Sequence, residues 1–520
     1  MNQETEVIVI GSGIGGLCCA GMLAKYGIKV IVCESHSIAG GAAHSFSRQG
    51  YTFDSGPSLF SGMSVRPSTN PLAHVLDALE ENIEWLTYEG WGCAMPEGQF
   101  FAAVGNESFI DILTKLRNKE AVKEWQRLQT VMLPLGRAAT ALPPIALRND
   151  WKVALSAGKY LWKMLRDLPQ LTMLTQPFSK ILEAEVSDPF ILNWMNLLCF
   201  MLSGLPANGT LTAEIAFMFA DWYRPEVQLD YPKGGVGNLV EALVRGMQKY
   251  GGELLLNSHV QEIILNGTNA TGVRLVNGEI IQAKRAVISG ASIWDTLKLL
   301  PLSERSPKEL HQLHRERQAI PACPSFMHLH LGIEASDLPK DLPCHWLVVN
   351  DWEIGVEAPQ NVVAVSMPSV LDPSLAPTGK HIIHAYTPAT EPFELWAGLD
   401  RKSEAYQQLK QERAEILWQG IERYIPDVRN RCEVTLIGTP LTHARFLRRY
   451  QGSYGPAIAA GQGIFPNANT PISKLYCCGD STFPGIGLPA VAASGEILAN
   501  SLASLKQHQS ILKEIFKREF

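Results

Sequence analysis

Between the apolar run Val7-Ile8-Val9-Ile10 and a helical stretch reaching about Tyr26 stands Gly11-Ser12-Gly13-Ile14-Gly15-Gly16. Few short segments restrict a fold more. The apolar run has the length of a buried parallel strand. Gly27 ends the helix, Val30-Ile31-Val32-Cys33 reads as a second strand, and Glu34 closes it. A strand-turn-helix-strand unit of this kind is a dinucleotide fingerprint. Gly11 makes the tight turn, Gly13 lets the backbone approach a pyrophosphate, and Gly16 lets the helix pack against the strand. The helix N-terminus then offers free N–H groups and its dipole to the phosphates. Ser12, Ile14 and Gly15 belong to the same loop. Glu34, followed by Ser35, stands near the offset of about 20 residues expected for the acid that holds the ribose hydroxyls. An acid there suits FAD or NAD and would repel the extra phosphate of NADP.

The chain has 520 residues, too many for one ordinary core, so two or three domains are expected. Hydrophobic residues make up 46% and charged residues 18%, a globular balance. A net charge of -6 carries no clustered basic excess, and no nucleic-acid partner is expected. Ten cysteines show neither a CxxC pair nor zinc-like spacing, which reads as buried free thiols in a reducing compartment. Met1 to Glu6 is short and polar, without a basic n-region or an Arg/Ser-rich transit segment. The richest apolar stretch, Ile191 to Leu205, contains Asn193, Asn196 and Ser203 and falls short of the roughly 18 to 20 residues of a spanning helix. The expectation is a cytoplasmic chain, neither exported nor membrane-spanning, with peripheral attachment at a thylakoid or plasma membrane surface left open. The sequence sets no oligomeric state.

From about Pro71 to Arg224 the chain carries Leu, Met and Trp at helical spacing, broken by Pro134, Pro143-Pro144, Pro169, Pro177 and Pro206. It reads as mostly helical. A second α/β stretch begins near Gly234, with a helix over Leu239 to Tyr250 and strands around Glu253 to Asn257 and Gln261 to Leu265. Asn277-Gly278 marks a hairpin turn. Pro321 to about Thr387 is β-rich, Lys402 to Tyr424 helical, and from Gly455 the sequence is again glycine-rich.

The far end contains Leu475-Tyr476-Cys477-Cys478-Gly479-Asp480, then Pro484-Gly485-Ile486-Gly487-Leu488-Pro489 before a helix from Ala490 to about Leu505. Together with the N-terminal fingerprint and Gly40-Gly41-Ala42-Ala43, these stretches resemble the two-part FAD site of the flavin amine oxidase and phytoene desaturase superfamily. The resemblance implies FAD as cofactor. It places Gly479 and Asp480 at the ribityl and pyrophosphate region, and the Gly487 turn, with Leu488 and Ala490, at the pyrimidine edge of the flavin. There a helix N-terminus would stabilise negative charge on the reduced ring. It also places the backbone of Val260 at the adenine, and Gly290 in the strand and turn that close the domain. On their residues alone, ordinary α/β strands are the alternative for both segments, with contact favoured for Val260.

Further strings narrow the likeness. Gly50-Tyr51-Thr52-Phe53-Asp54-Ser55-Gly56-Pro57-Ser58, Tyr231-Pro232-Lys233-Gly234-Gly235, Leu371-Asp372-Pro373-Ser374-Leu375-Ala376-Pro377 and Gly452-Ser453-Tyr454-Gly455-Pro456 are similar to those of the carotenoid isomerase-like branch. The resemblance runs from Val7 to about Ser504. It implies an α/β fold: a discontinuous Rossmann-type FAD-binding domain (1–70, 225–300 and 455–520), a helical insertion (71–224), and a β-rich α+β substrate-binding domain (301–454). It implies a polyene isoprenoid substrate, most simply a carotenoid isomerised from cis to trans through reduced flavin. A desaturase or saturase with net hydride transfer is the alternative chemistry, and a non-catalytic isoprenoid carrier the alternative class. The intact Gly13, Glu34 and Gly479-Asp480 weigh against the carrier, and no amine pocket or aromatic cage is recognisable. The motifs are cofactor motifs and name no general acid or base.

Two features remain. Lys152, Lys159, Lys163 and Arg166 share one helical face opposite Val153, Ala157, Tyr160, Leu161 and Met164, which suits either an anionic membrane surface or a solvated face. His328 and His330 alternate in a strand and point the same way, and His384 lies in another. Without an acid at ligand spacing no metal site is expected.

Overall fold

The computed structural model describes residues 3–56, 58–158, 160, 168–224 and 226–516. A seven-stranded sheet carries the N-terminal fingerprint. Its order is Glu253–Leu255, Val30–Cys33, Gln3–Ile10, Ile280–Ser289, Asn269–Leu275 and Val260–Asn266, with Leu475–Cys477 pairing on Ile280–Ser289. The central pairs are parallel, while Asn269–Leu275 runs antiparallel to both its neighbours and joins Ile280–Ser289 through the Asn277-Gly278 turn, where Gly278 N donates to Leu275 O. Alternation sorts the strand residues into two layers. Val7, Val9, Val30, Val32 and Ile288 pack in one apolar cluster with the helix Ile14–Lys25. Ile8, Ile10, Ile31 and Val287 face the other way, against Val273, Leu297, Leu310 and Leu313. Both faces are covered, as a mostly parallel sheet requires, and the strands are therefore apolar on both sides.

The helix Ile14–Lys25 crosses the C-terminal helix Leu488–Leu502 at bare backbone. A Cβ on Gly495 would stand 2.2 Å from Gly15 O and 2.9 Å from Cys19 N, and one on Gly16 would stand 2.4 Å from Gly11 O. No side chain fits at either place without movement, at Gly495 in the crossing or at Gly16 inside the fingerprint turn, so glycine is required by proximity rather than by dihedral angle.

The second sheet, also of seven strands, has the order Cys432–Gly438, His328–Glu334, Lys380–Tyr386, Val362–Ser366, His345–Val349, Gly90–Met95 and Gly98–Ala103. Alternation again divides it. Leu329, Leu331, Ile333, Val363, Val365, Ile383 and Ala385 pack against Ala414, Leu417 and Ile421 of the helix Glu404–Glu422. His328, His330 and His384 occupy the opposite face.

Two expectations for 71–224 are corrected here. Trp85–Tyr88, Gly90–Met95 and Gly98–Ala103 are strands, and the latter two form a hairpin that extends the second sheet. The short period of this stretch is masked by its Trp, Met and Leu content, which resembles that of the flanking helices. Pro134, read as a break, lies inside the helix Lys119–Thr140. Burial of Trp125, Leu128, Met132 and Leu135 along one face holds that helix together across the hydrogen bond that proline cannot make. The remainder is helical, including Pro189–Ser203, which Asp188 caps by accepting from Phe190 N and Ile191 N. Among the described residues no helix is long and apolar enough to cross a membrane. Of the proposed amphipathic helix, Lys159, Lys163 and Arg166 of the basic face and Leu161 and Met164 of the apolar face lie outside the described residues.

The bare crossing at Gly495 makes a direct demand. Gly495→Ala must push the two helices apart, and overpacking of this kind costs about 1–3 kcal/mol. The expected result is a lower denaturation midpoint by calorimetry or denaturant titration. An unchanged midpoint would mean that the crossing is looser than its geometry.

Candidate functional site

Gly11, Glu34, Gly290 and Gly479 follow the carboxyl ends of the first sheet's parallel strands, where ligands bind in open α/β folds. Gly11 turns the chain at φ +90° and Gly13 stands at the N-cap of the helix Ile14–Lys25. No side chain caps that helix and no acid lies in its first turn. A Cβ on Gly13 would meet no atom within 4 Å, whereas one on Gly15 would stand 2.8 Å from Gly479 Cα. The fingerprint thus has one open position above uncapped N–H groups, where an anion can settle, and one position closed against the distant Gly-Asp pair.

Glu34 is 7% exposed, and its carboxylate organises the neighbouring loop. One oxygen accepts from Ser12 N at 2.8 Å and Ser12 Oγ at 2.6 Å, and the other from His36 N at 2.7 Å and Ser35 Oγ at 3.3 Å. Its backbone is gripped as well: Glu34 N donates to Leu255 O and Ser258 N to Glu34 O, which brings the segment leading to the buried Val260 beside it. Gly40 N donates to Ser12 O at 3.0 Å, and Gly41-Ala42-Ala43 form a short turn with Gly41 against Gly13 Cα. Ala42 is exposed and Ala43 buried. Gly290 N donates to Ile10 O at 2.8 Å. The structure therefore gathers Gly11–Gly16, Glu34, Ser35, Gly40–Ala43, Val260 and Gly290 along one edge.

The C-terminal motif completes that edge. Cys478 N donates to Ser289 O, and Gly479 N to Ser494 Oγ at 3.1 Å. Asp480 pairs with Arg449 at 2.6 Å and accepts from Ser481 Oγ. The same guanidinium donates to Ser453 O and to Tyr454 O, tying the loop Ser453-Tyr454 to the Gly-Asp pair. Gly487 is the N-cap of the helix Leu488–Leu502, whose first turn has no acid and no side-chain cap, and Leu488 and Ala490 are partly exposed there. Two uncapped helix N-termini, an open position at Gly13, and carboxylates at Glu34 and Asp480 suit a dinucleotide with a pyrophosphate in the middle and hydroxyl-bearing sugars on either side. The residues present fit FAD.

Beside this edge, packed on Phe46 and Asp54, stands the second sheet's imidazole face. His328 Nδ1 and His384 Nε2 are 3.0 Å apart, and the His330 and His384 rings stack at 4.1 Å and 6°. His443 lies 5.5 Å from His328, with its Nδ1 2.6 Å from Gly452 O. Phe326 and Tyr386 fill the gaps. Burial pushes His330 and His443 down to about 4 and holds His328 and His384 well below the ordinary imidazole range. All four are neutral near pH 7. Burial also pushes the Tyr386 phenol up to about 12. His328 and His330 do share a face as the alternation requires, and among the described residues no metal-holding group of His, Cys, Asp or Glu is found.

A carboxylate joins the cofactor edge to this face. Asp54 accepts from Ser45 Oγ, Tyr231 OH and Val236 N, and its carbonyl lies 3.2 Å from His330 Nε2. Asp372 accepts from Gly234 N at 2.6 Å. The strings Gly50–Gly56, Tyr231–Gly235 and Leu371–Pro377 therefore meet at one junction. Sequence reading singled out neither Arg449 nor Glu214, a carboxyl from the helical region that lines a recess beside Ile486. No local spacing marks either one; their partners come from distant segments.

The family model of flavin containing amine oxidoreductases matches residues 14–503. A chloroplastic prolycopene isomerase of Daucus carota is 33% identical over 522 residues, spanning 98% of this chain and 82% of its own. A neurosporene-forming phytoene desaturase of Rhodobacter capsulatus is 25% identical over 529 residues, spanning 96% of this chain and 95% of its own. Among solved structures, an oxidoreductase from Methanosarcina mazei superposes with a TM-score of 0.62 at 19% identity, over 94% of this chain and 98% of that one.

The Arg449–Asp480 pair is expected to hold the Tyr454 loop against the cofactor edge. Arg449→Met and Asp480→Asn should each lower retained flavin through purification. A double-mutant cycle on cofactor affinity should give a coupling of about 1 kcal/mol, in the range found for groups in contact. Additive losses would mean that the two residues act separately.

Proposed function

Since this chain belongs to the flavin-containing amine oxidoreductase family, we propose that it is an FAD-dependent enzyme that isomerises a carotenoid or similar polyene from cis to trans. The observation that carries this reading is the uncharged wall. His328, His330, His384 and His443 are held neutral by burial, with Phe326 and Tyr386 between them. A hydrocarbon loses nothing by desolvation against such a wall, whereas an ammonium group would lose its hydration without a charged partner there. The likeness to a prolycopene isomerase over nearly the whole chain supports the same substrate class.

Isomerisation has no net redox change, yet the double-bond order must fall while the chain rotates. Reduced FAD, when bound, would supply electron density transiently and recover it, so that no oxidant or reductant is consumed. The protein's share is to hold the cofactor on Gly11–Gly16, Glu34 and Asp480, to exclude water, and to keep the polyene in one orientation. We read 1–70, 225–300 and 455–520 as the cofactor half and 71–224 with 301–454 as the substrate half. Contact with a membrane surface belongs to the same proposal, because polyenes partition into lipid. Trp151 and Leu155, 76% and 56% exposed beside Lys152, are the side chains that would meet it.

A second reading has a specific support. The likeness to a phytoene desaturase keeps the cofactor and substrate class but changes the chemistry to net hydride transfer.

An absorbance spectrum of the purified protein should show bound flavin. Anaerobic incubation of the reduced protein with a poly-cis carotene should give a product of unchanged mass and altered retention. A shift of two hydrogens would replace isomerisation by desaturation or saturation, and a colourless protein would remove the flavin reading altogether.

A further inference from the structure

Along the helix Pro440–Leu447 lies an open groove of about 500 Å³, a size within the range of small-molecule sites. Its other wall is the turn Leu399-Asp400-Arg401, which leads into the helix Glu404–Glu422. The two walls are pinned to each other, since Tyr406 OH and Thr439 Oγ1 are buried and 3.0 Å apart. At about 100° per residue, Leu441 and Arg445 stand about 160° around the helix from His443, whose ring faces His328. The groove and the imidazole face are thus on opposite sides of one helix. Arg448, at the C-cap of that helix, completes the groove.

Three guanidiniums meet there, from Arg401, Arg445 and Arg448. Among the described residues none of them joins an ion pair or donates a hydrogen bond, and Arg445 merely lies over its neighbour Phe446 at 5.6 Å. Other arginines near the same sheet are matched: Arg429 pairs with Glu415 and Glu422, and Arg431 with Asp337 and Asp427. The acid that lines the groove, Asp400, accepts from Lys402 N at 3.0 Å and pairs with no arginine. Basic side chains in a last helical turn suit the helix dipole, but Arg401 comes from another element, and the dipole does not account for it. Three like charges gathered in this way repel one another, and an anion in the groove relieves that repulsion.

We propose that this groove is a second ligand site, separate from the flavin site, and that it binds a nucleoside diphosphate. Guanidiniums meet phosphate oxygens through paired, charge-assisted hydrogen bonds, and two linked phosphates give three guanidiniums enough oxygens to share. A carboxylate in the same groove would repel a bare anion. It suits a ligand that also carries sugar hydroxyls, which Asp400 accepts from. Leu399 and Leu441 offer apolar area to the base. A phospholipid headgroup shares the phosphate chemistry but leaves Asp400 and the two leucines without a task. Nucleotide binding here is independent of the reaction carried out at the flavin.

The test is a calorimetric titration of the flavin-loaded protein with ADP, adenosine and inorganic phosphate, beside co-sedimentation with vesicles of phosphatidylcholine and phosphatidylglycerol. With the flavin site filled, ADP should bind more tightly than adenosine, which lacks the charge, and than phosphate, which lacks the sugar and base. Added salt should weaken it, because exposed charges are screened. Arg401→Gln, Arg445→Gln and Arg448→Gln, all at exposed positions, should each weaken ADP about 10- to 100-fold while flavin absorbance and melting temperature stay unchanged. Inorganic pyrophosphate should displace ADP from the wild-type protein, a readout that decides even if a variant fails to fold. No ADP binding, binding that all three variants keep, or adenosine as tight as ADP overturns the site. Vesicle binding that the variants lose, without ADP binding, assigns the arginines to a lipid headgroup and overturns the nucleotide.

Discussion

The crossing of the helices Ile14–Lys25 and Leu488–Leu502 at bare backbone governs this molecule. With Gly495 against Gly15 O and Gly15 against Gly479 Cα, the first and last parts of the chain share one contact, and the crossing tolerates no side chain. The consequence is geometric. The N-terminal fingerprint and the Gly479-Asp480 motif are locked at a fixed spacing, and two uncapped helix N-termini belong to one cleft. A dinucleotide site assembled from segments so far apart depends on this closeness.

Electrostatics divide the cleft into two halves with different tasks. On the cofactor side, ionisable groups are matched: Glu34 takes hydrogen bonds from Ser12 and His36, and Asp480 pairs with Arg449. On the sheet side, burial strips charge from four imidazoles. On the proposed function, one side would meet an anionic, hydroxylated cofactor and the other an apolar chain. Asp54 joins them, accepting from Tyr231 and Val236 through its carboxylate and facing His330 through its carbonyl. Rotation of any of these elements would disturb both halves together.

Much of the fold was legible because its signals are local. The helix after the fingerprint ends at Lys25, next to the expected limit at Tyr26, and Gly27 follows at φ +76°. The C-terminal helix, expected from Ala490 to about Leu505, spans Leu488–Leu502. The hairpin at Asn277-Gly278 is where turn chemistry puts it. What went astray did so for tertiary reasons. Pro134 is carried inside a helix by the burial of its neighbours, and Gly90–Met95 is a strand because the second sheet offers it a partner in His345–Val349. Neither neighbour is visible from the residues themselves.

The sequence by itself determined the phosphate turn, the acid after the second strand, and the alternation that sends His328 and His330 to one face, since each depends on backbone stereochemistry within a few residues. Only the tertiary structure decided that Arg449 bridges Asp480 and the Tyr454 loop, that His384 stacks on His330, and that Glu214 reaches the recess beside Ile486. Desolvation, charge pairing and ring stacking act between atoms close in space whatever their separation along the chain. No spacing rule in the sequence encodes them, and they exist once the strands and helices have packed.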